Sequence, residues 1–141
     1  MKYLFLMFLL LLSANANIYR DGAKEVVIDD VARLMWIDNI SVIKIKKDHD
    51  SSTKYCEKLN YAGFDNWRLA KVEEFELIVD KRNIKNYINR AFKYNVPDGY
   101  WALKSLWRTL WFYADYMHFV SGTPYYDSRH KNKYIRCVRE Y

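Results

Sequence analysis

The chain is poor in several features that would define its class directly. Beyond residue 16 it has no run of about 18 uncharged apolar residues, and therefore no candidate membrane-spanning helix. It has no internal repeat, low-complexity tract or linker, and contains only 4 glycines and 2 prolines. These absences predict one domain without a membrane anchor rather than an array of modules.

The first sixteen residues predict export. Lys2 forms a short basic region, Leu4 to Leu12 an unbroken apolar stretch, and Ala14-Asn15-Ala16 the small-x-small pattern that signal peptidase reads. Cleavage is expected after Ala16, which leaves residues 17–141 as a single domain in the periplasm or outside the cell. The next residue is not a cysteine, which argues against a lipoprotein.

The chain has only two cysteines, Cys56 and Cys137. In an oxidising compartment two cysteines are expected to pair, and a loop of this length would stabilise the fold by up to roughly 4–5 kcal/mol on a chain-entropy model. A pair of free or redox-active thiols is the alternative. It is disfavoured because neither cysteine belongs to a C-x-x-C motif.

Charge narrows the range of partners. Removal of residues 1–16 leaves 22 basic and 17 acidic residues, a net charge of +5. This excess suits acidic glycans, lipopolysaccharide phosphates or an anionic surface, but the two signs are interspersed, which favours an ordinary solvated surface. Nucleic acid is not an expected partner because the protein is exported.

The residue pattern predicts an α+β domain with two or three helices and a small twisted antiparallel sheet. An N-terminal hairpin is expected from Lys24–Asp29 and Arg33–Ile37, joined by Asp29-Asp30. Oxygen-bearing side chains at Asp50-Ser51-Ser52 are expected to cap a helix that runs to about Asn60. Two more helices and three late strands follow: Val72–Lys81, Asn83–Lys93, Tyr100–Leu106, Leu110–Val120 and Lys133–Val138. Loops at Ser121–Pro124 and Asp127–Asn132 separate these strands.

No metal or cofactor is expected. Asn95 and Asp98 offer two oxygens near Pro97, but no Trp-Asn-Asp partner of a lectin calcium site is present, so a turn is the better interpretation. The three histidines are widely separated and are interpreted as solvated or capping residues. They are His49, His118 and His130.

No catalytic residue is predicted either, so an enzyme is the minority hypothesis. Ser51-Ser52 and Ser121-Gly122 lack the context of a nucleophile, and Glu73, Glu74 and Glu76 are interpreted as a solvated helix face. Trp67-Arg68 could form a stacking site, but a core anchor is the preferred interpretation.

The late strands and their loops carry the candidate ligand surface, because cations and aromatic side chains are mixed there. Alternation along the strands predicts Trp101, Phe112 and Phe119 in the core, with Trp107, Arg108 and Tyr113 exposed. The candidate ligand-binding residues are Lys104, Trp107, Arg108, Tyr113, Tyr125 and Tyr126.

Several segments together resemble the Lcl C-terminal domain family, named after the C-terminal domain of the Legionella collagen-like adhesin. The matching segments are Val27-Ile28-Asp29-Asp30, Leu34–Asn39, Tyr55-Cys56, Ala62-Gly63, Trp67-Arg68-Leu69, Glu74, Tyr100-Trp101, Phe119 with Gly122, and Arg136–Arg139. The resemblance implies a C-type-lectin-like fold in which a helix cysteine pairs with one on the last strand. The chain departs from the family at Ala32-Arg33, where Thr-Gly is usual, at Ala70, at Ala102-Leu103 and across Trp107–Tyr116.

The expected function is that of a monomeric, exported, non-catalytic binding or envelope-interaction module, with a glycan or a protein as ligand. The family has adhesive members, in keeping with this expectation. A periplasmic inhibitor or immunity protein is the alternative, in which basic residues of a long loop would enter the acidic cleft of an enzyme.

Overall fold

Two five-stranded sheets and two α-helices make up the part of the chain that this computed structural model describes, residues 17–103 and 112–141. The predicted signal peptide lies outside these residues. In chain order the elements are β1 (Ile18–Asp21), β2 (Val26–Asp29), β3 (Leu34–Ile37), a 3-10 turn (Ile40–Ile43), β4 (Lys46–Lys47), α1 (His49–Glu57), β5 (Arg68–Leu69), α2 (Val72–Ile78), β6 (Gly99–Trp101), β7 (Tyr113–His118), β8 (Thr123–Ser128), β9 (Lys133–Tyr134) and β10 (Cys137–Glu140).

The strands form an α+β fold, as predicted, but in two sheets rather than one. The first sheet has the order β1-β2-β3-β10-β5 and is antiparallel throughout. The second has the order β4-β9-β6-β7-β8 and is antiparallel except where β6 and β9 run parallel at Tyr100 and Tyr134. The late strands therefore divide between the two sheets.

The expected continuous strand Lys133–Val138 is wrong because the chain changes sheets within it. β9 ends at Tyr134 and β10 begins at Cys137, with the buried Arg136 between them. Arg136 Nη1 donates to the Ile37 carbonyl at 2.6 Å and to Asp38 Oδ1 at 3.3 Å. A buried guanidinium needs such partners, and Arg136 reaches them at the point where the chain passes from the second sheet to the first.

Asp38 is the centre of a buried charge network. Besides Arg136, its carboxylate accepts from Arg20 Nε at 2.5 Å and from the amides of Lys93 and Tyr94 at 2.9 and 3.1 Å. Neither Asp38 nor Arg136 has an exposed side chain. The network fixes the 93–94 loop against the first sheet.

The predicted N-terminal hairpin is confirmed as β2 and β3. Asp29 Oδ1 accepts from the amides of Val31 and Ala32 at 3.1 and 3.0 Å, which closes the turn. Arg33 has a φ of +60°, a conformation that favours glycine. β1 is an additional strand whose mixed, half-exposed sequence gave no strand pattern.

The first two predicted helices are present as α1 and α2, but their ends differ from the predicted ones. α1 begins at His49 because Asp48, rather than the 50–52 segment, accepts from the Ser51 amide at 2.8 Å. It ends at Glu57, before the expected Asn60. α2 ends at Ile78 rather than at Lys81.

The predicted helix Asn83–Lys93 is wrong. The segment consists of turns, in which Asn83 Nδ2 donates to Asn86 Oδ1 and to the Ile88 carbonyl, both at 2.8 Å. Asparagine side chains compete in this way with helical backbone bonds. Ile88 is buried, but Ile84, which was expected on the same apolar side, is 81% exposed.

The predicted late strands Tyr100–Leu106 and Leu110–Val120 are longer than the observed strands among the described residues, and their parts at 104–106 and 110–111 lie outside those residues. β8 includes Thr123-Pro124 and Asp127-Ser128, for which loops are predicted. β6 stops at Trp101 and β7 spans only Tyr113–His118. Trp101 and Phe119 are buried, as predicted, whereas Phe112 is 67% exposed and its placement in the core is wrong. Phe112 precedes the first residue of β7, so the alternation of that strand does not extend to it.

The core lies between the sheets and the helices. Trp36 packs against Phe75 and Phe92, with ring centroids 5.4 and 6.4 Å apart. Cys56 of α1 and Cys137 of β10 are buried and bonded, with their Cα atoms 5.6 Å apart. The predicted disulfide is therefore confirmed, and it ties the first helix to the last strand.

Candidate ligand-binding face

The predicted ligand residues fall into two groups. Lys104, Trp107 and Arg108 lie outside the described residues, so their role stays a prediction. The other predicted residues, Tyr113, Tyr125 and Tyr126, are exposed on the β7–β8 hairpin.

Strand register shows that the three tyrosines do not share one face. Tyr126 is paired with Asp115, and it packs edge-on against Tyr113 with centroids 5.6 Å apart. Tyr125 is paired with Tyr116, on the opposite side of the hairpin. The predicted set is therefore divided between two faces.

The Tyr125 side carries a larger group, which we call the aromatic–lysine face: Lys47, Tyr116, His118, Tyr125, Asp127 and Lys133. The Tyr125 ring lies 6.1 Å from Tyr116 and 5.9 Å from His118, measured between centroids. Lys133 Nζ lies 3.9 Å from the Tyr116 centroid and 3.0 Å from Asp127 Oδ2. The face crosses all five strands of the second sheet, a width of roughly 19 Å.

Gly99 allows side chains to pack closely over β6 at the centre of this face. A Cβ at Gly99 would lie 2.9 Å from Tyr116 Cδ2 and 3.3 Å from Lys133 Cδ, closer than side chains pack. Its absence lets the Tyr116 ring and the Lys133 stem lie over β6, as is typical of strand glycines at points of close approach. A glycine just before Tyr100-Trp101 was the sequence signal for this arrangement.

On this face the carboxylate of Asp127 is paired with the ammonium group of Lys133. Partial burial alone would raise the pKa of Asp127, but hydrogen bonds from Lys133, the Ser128 amide and Lys131 outweigh it, so its pKa lies below the usual range. Burial, together with the nearby Asp127, raises the pKa of Tyr116. At neutral pH the face therefore presents the neutral ring of Tyr116 beside the carboxylate of Asp127 and its Lys133 partner.

The Trp67-Arg68 segment serves the core, as preferred from the sequence. Trp67 is buried, and its Nε1 donates to the Phe64 carbonyl at 3.0 Å. Arg68 forms a double hydrogen bond with Glu74, at 2.6 and 2.8 Å, and reaches Glu140 at 3.1 Å. Glu74 is therefore partnered, unlike the solvated carboxylate that was expected.

The oxygens near Pro97 are used within the fold. Asp98 Oδ1 accepts from the Gly99 amide at 2.7 Å, and Asn95 Oδ1 accepts from Arg136 Nη2 at 3.3 Å. Within residues 17–103 and 112–141, no cluster of three or more His, Cys, Asp or Glu side chains could hold a metal ion. The absence of a metal remains a prediction.

His49 does not match its interpretation as a solvated or capping residue. It is the first residue of α1, is buried, and its Nε2 lies 2.8 Å from the Ala102 carbonyl oxygen. Its ring packs edge-on against Trp101, with centroids 5.2 Å apart. His49 therefore belongs to the packing between α1 and the second sheet.

The described residues form a two-sheet α+β scaffold with one disulfide, which defines the class of small disulfide-bonded domains. The sequence profile described as the Lcl C-terminal domain matches residues 25–139, so the chain belongs to that family. No curated protein matches the chain. Among the described residues, neither helix is long and apolar enough to cross a membrane.

Proposed function

We propose that the protein is an exported, non-catalytic binding module that holds an acidic glycan on the aromatic–lysine face. Membership of a family named for an adhesin domain supports a binding role. The disulfide supports folding in an oxidising compartment, which is the periplasm or the exterior of the cell.

The observation that carries this proposal is the stacking of Lys133 on Tyr116 beside the exposed Tyr125. Phenol rings offer flat apolar surfaces to the C–H faces of sugars, and lysines attract carboxylate, sulfate or phosphate groups. Lys47, the strand partner of Lys133, adds a second cation to the same face. Together these groups suit a chain of sugar rings that bears anionic groups.

The proposal is tested with an array of acidic and neutral glycans, probed with the wild-type protein and two tyrosine variants. Tyr125→Ala removes a ring of the face that is 50% exposed, and Tyr19→Ala removes a 44% exposed tyrosine of β1 in the other sheet. We expect acidic glycans to be retained by the wild type and by Tyr19→Ala, and lost by Tyr125→Ala. Retention of no acidic glycan, or equal losses in both variants, would contradict the proposal.

Electrostatic attraction adds a second expected property. Attraction of an acidic ligand by Lys47 should weaken as salt rises, because dissolved ions screen the charges of exposed side chains over about 10 Å at 0.1 M ionic strength. Lys47→Gln should reduce both the affinity and its dependence on salt. Affinity that does not depend on salt would indicate binding by stacking alone.

We also propose that the fold is C-type-lectin-like. The disulfide between the first helix and the last strand, and the pairing of β10 with β3 of the N-terminal hairpin, support this assignment. Superposition of an experimental structure on a C-type lectin domain tests it. A different order of strands around β10 would contradict it.

Export and the monomeric state complete the proposal. The mature N-terminus should be Asn17, and N-terminal sequencing of protein from the cell envelope and medium checks this. Light scattering of the same material should give the mass of one chain. Co-purification of one envelope enzyme that the protein inhibits would instead favour the inhibitor hypothesis.

A further inference from the structure

The tip of the β7–β8 hairpin is held by an unusual acceptor, the imidazole of His118. The Val120 amide donates to His118 Nδ1 at 3.2 Å. A backbone N–H can only donate, so Nδ1 must carry no proton in this arrangement. Neutral His118 with its proton on Nε2 is therefore the form that closes the turn.

The rest of the tip is fixed on both sides of this bond. Phe119 is buried, and its amide donates to the Asp98 carbonyl at 3.0 Å. Gly122 has a φ of +66°, and its amide donates to the His118 carbonyl at 2.9 Å. An added Cβ at Gly122 would lie 2.6 Å from Val79 Cγ1, so the tip lies tightly against the chain after α2. The Ser121 amide donates to the His118 carbonyl at 3.3 Å, so the exposed Val120 is the part of the tip that the imidazole holds.

We propose that His118 is a proton-sensitive switch of the hairpin tip: the neutral imidazole holds the Val120 amide, and a proton on Nδ1 releases it. Protonation places two N–H donors against each other, so the bond cannot survive in any orientation of the ring. Histidine is the side chain that ordinarily gains a proton between about pH 8 and pH 5.

Groups from every neighbouring element surround His118. On its own strand and on β8, the Tyr116 and Tyr125 rings lie 5.8 and 5.9 Å away between centroids. Asp98 lies just before β6, next to Gly99, the strand partner of His118, and its Oδ2 is 3.9 Å from Lys46 Nζ. From α2 and the chain that follows it, Glu76 and Lys81 line a cleft of about 280 Å³ with Gly122 and Thr123. Asp127, Lys133 and Lys47 are the other charged groups of the face.

These neighbours do not ordinarily change charge in the same pH range, because carboxylates titrate below it and lysines and tyrosines above it. The other histidines and the mature N-terminus are the competing groups. His130 follows β8 in the chain, and its amide donates to Ser128 Oγ at 3.4 Å. A His130→Asn variant therefore serves as the matched control.

Protonation of His118 would also affect ligand binding by the aromatic–lysine face, an inference that rests on the proposed function. His118 packs against both Tyr116 and Tyr125, so release of the tip would change the environment of those rings and add a positive charge between them. An acidic ligand would then be held differently on either side of the transition.

The switch itself is tested without any ligand, by NMR of the protein purified after export. In the wild type, the Val120 and Ser121 amide resonances should move between pH 8 and pH 5 with the same midpoint as the His118 ring proton. After correction for intrinsic exchange, hydrogen-exchange protection of Val120 should fall about fivefold, as loss of one ordinary hydrogen bond predicts. The Phe119 amide, which donates to the Asp98 carbonyl, should keep its hydrogen-exchange protection across the transition.

Two substitutions separate the switch from general packing. In His118→Asn, the side-chain oxygen can accept a hydrogen bond from the Val120 amide, and the asparagine does not gain a proton in this pH range. The Val120 hydrogen bond should therefore be kept at both pH values. His118→Phe keeps a ring without an acceptor, so its Val120 resonance at pH 8 should resemble that of the wild type at pH 5. His130→Asn should retain the wild-type transition.

Three results would overturn the switch: no titration of His118 between pH 5 and 8, a Val120 resonance that does not follow it, or a transition that persists in His118→Asn. Each can occur whether or not an acidic glycan binds, so failure of the switch is distinguishable from failure of the proposed function.

Discussion

In the first sheet, every side chain of β3 is buried and only Glu140 of β10 is exposed, whereas in the second sheet β8 buries none of its six side chains. The first sheet is fixed by the disulfide and by the Asp38 network. The second ends in an edge hairpin whose tyrosines pack on one another and face solvent. Although β6 and β7 also contribute buried residues to the core, the β7–β8 hairpin is the part of the molecule least committed to packing, so substitutions of its exposed residues should leave the first sheet largely unaffected. On the proposed function, recognition would lie at this hairpin and its neighbouring strands.

The largest effect is expected at Asp38. Asp38→Ala would leave Arg136 buried without its carboxylate, and removal of one partner of a buried ion pair typically costs about 3–5 kcal/mol. Chemical denaturation measures this loss in the free energy of unfolding. Asp50→Ala is the control, because Asp50 pairs with Lys54 at the surface and should cost less than about 1 kcal/mol. Equal losses in the two variants would contradict the buried network.

Loss of the disulfide is expected to have the second largest effect on stability. Cys56→Ala is expected to lower the free energy of unfolding by roughly 2–5 kcal/mol, because it frees the long loop between α1 and β10 in the unfolded chain. Thermal unfolding of the oxidised wild type and the variant measures the difference. Intact-mass analysis after alkylation should find no reactive thiol in exported wild-type protein. Two alkylated cysteines would refute the bond.

Gly99→Ala should have a smaller effect on stability and a large one on the face. The new methyl group would contact the Tyr116 ring, and overpacking of this kind costs about 1–3 kcal/mol. NMR should show changed Tyr116 and Lys133 resonances, while those of the first sheet stay in place. Gly22→Ala is the matched control, since its new Cβ would meet only Arg20 Nη1 at 3.4 Å. Unchanged Tyr116 resonances in Gly99→Ala would contradict the conclusion that Gly99 makes room for the Tyr116 ring.

Glu74→Gln should have the smallest effect and a distinctive pH dependence. Partial burial alone would raise the pKa of Glu74, but hydrogen bonds from Arg68 and the Lys71 amide outweigh it and lower the pKa. Because the pKa of Glu74 is lower in the folded state than in the unfolded state, its ionised form stabilises the fold at pH values above the unfolded pKa of about 4.3. This contribution to stability is lost as the pH falls through the pKa of the folded state. The variant should lose at most about 1 kcal/mol at pH 7 and show a shallower loss of stability in acid. Parallel acid curves for the two proteins would contradict this pairing.

The fold could be predicted from the sequence where local patterns and tertiary packing agree. β2 and β3 carry apolar residues between clear turn residues, and α2 has helical spacing with acids in its first turn. The 83–93 segment has similar spacing, but its asparagine side chains bond to the backbone and prevent a helix. The change of sheet at Arg136 could not be predicted, because it depends on a carboxylate 98 positions away.

The candidate site could be predicted only in part. Tyr125 was identified as exposed and aromatic, but Tyr116, Lys47 and Lys133 were not, because strand register alone brings these residues to its side. The same register places Tyr126 on the other face. β8 itself was missed because its Thr-Pro start is typical of a turn, although a proline is tolerated at the beginning of an edge strand.

The most direct test of the separation between the sheets is an NMR titration of the wild-type protein with the acidic glycan that the array retains best. We predict that the perturbed resonances fall on Lys47, Tyr116, Tyr125 and Lys133, with Tyr126 and the residues of β1 to β3 unchanged. Perturbations centred on the first sheet, or on the Tyr113–Tyr126 side of the hairpin, would contradict the assignment of recognition to the aromatic–lysine face.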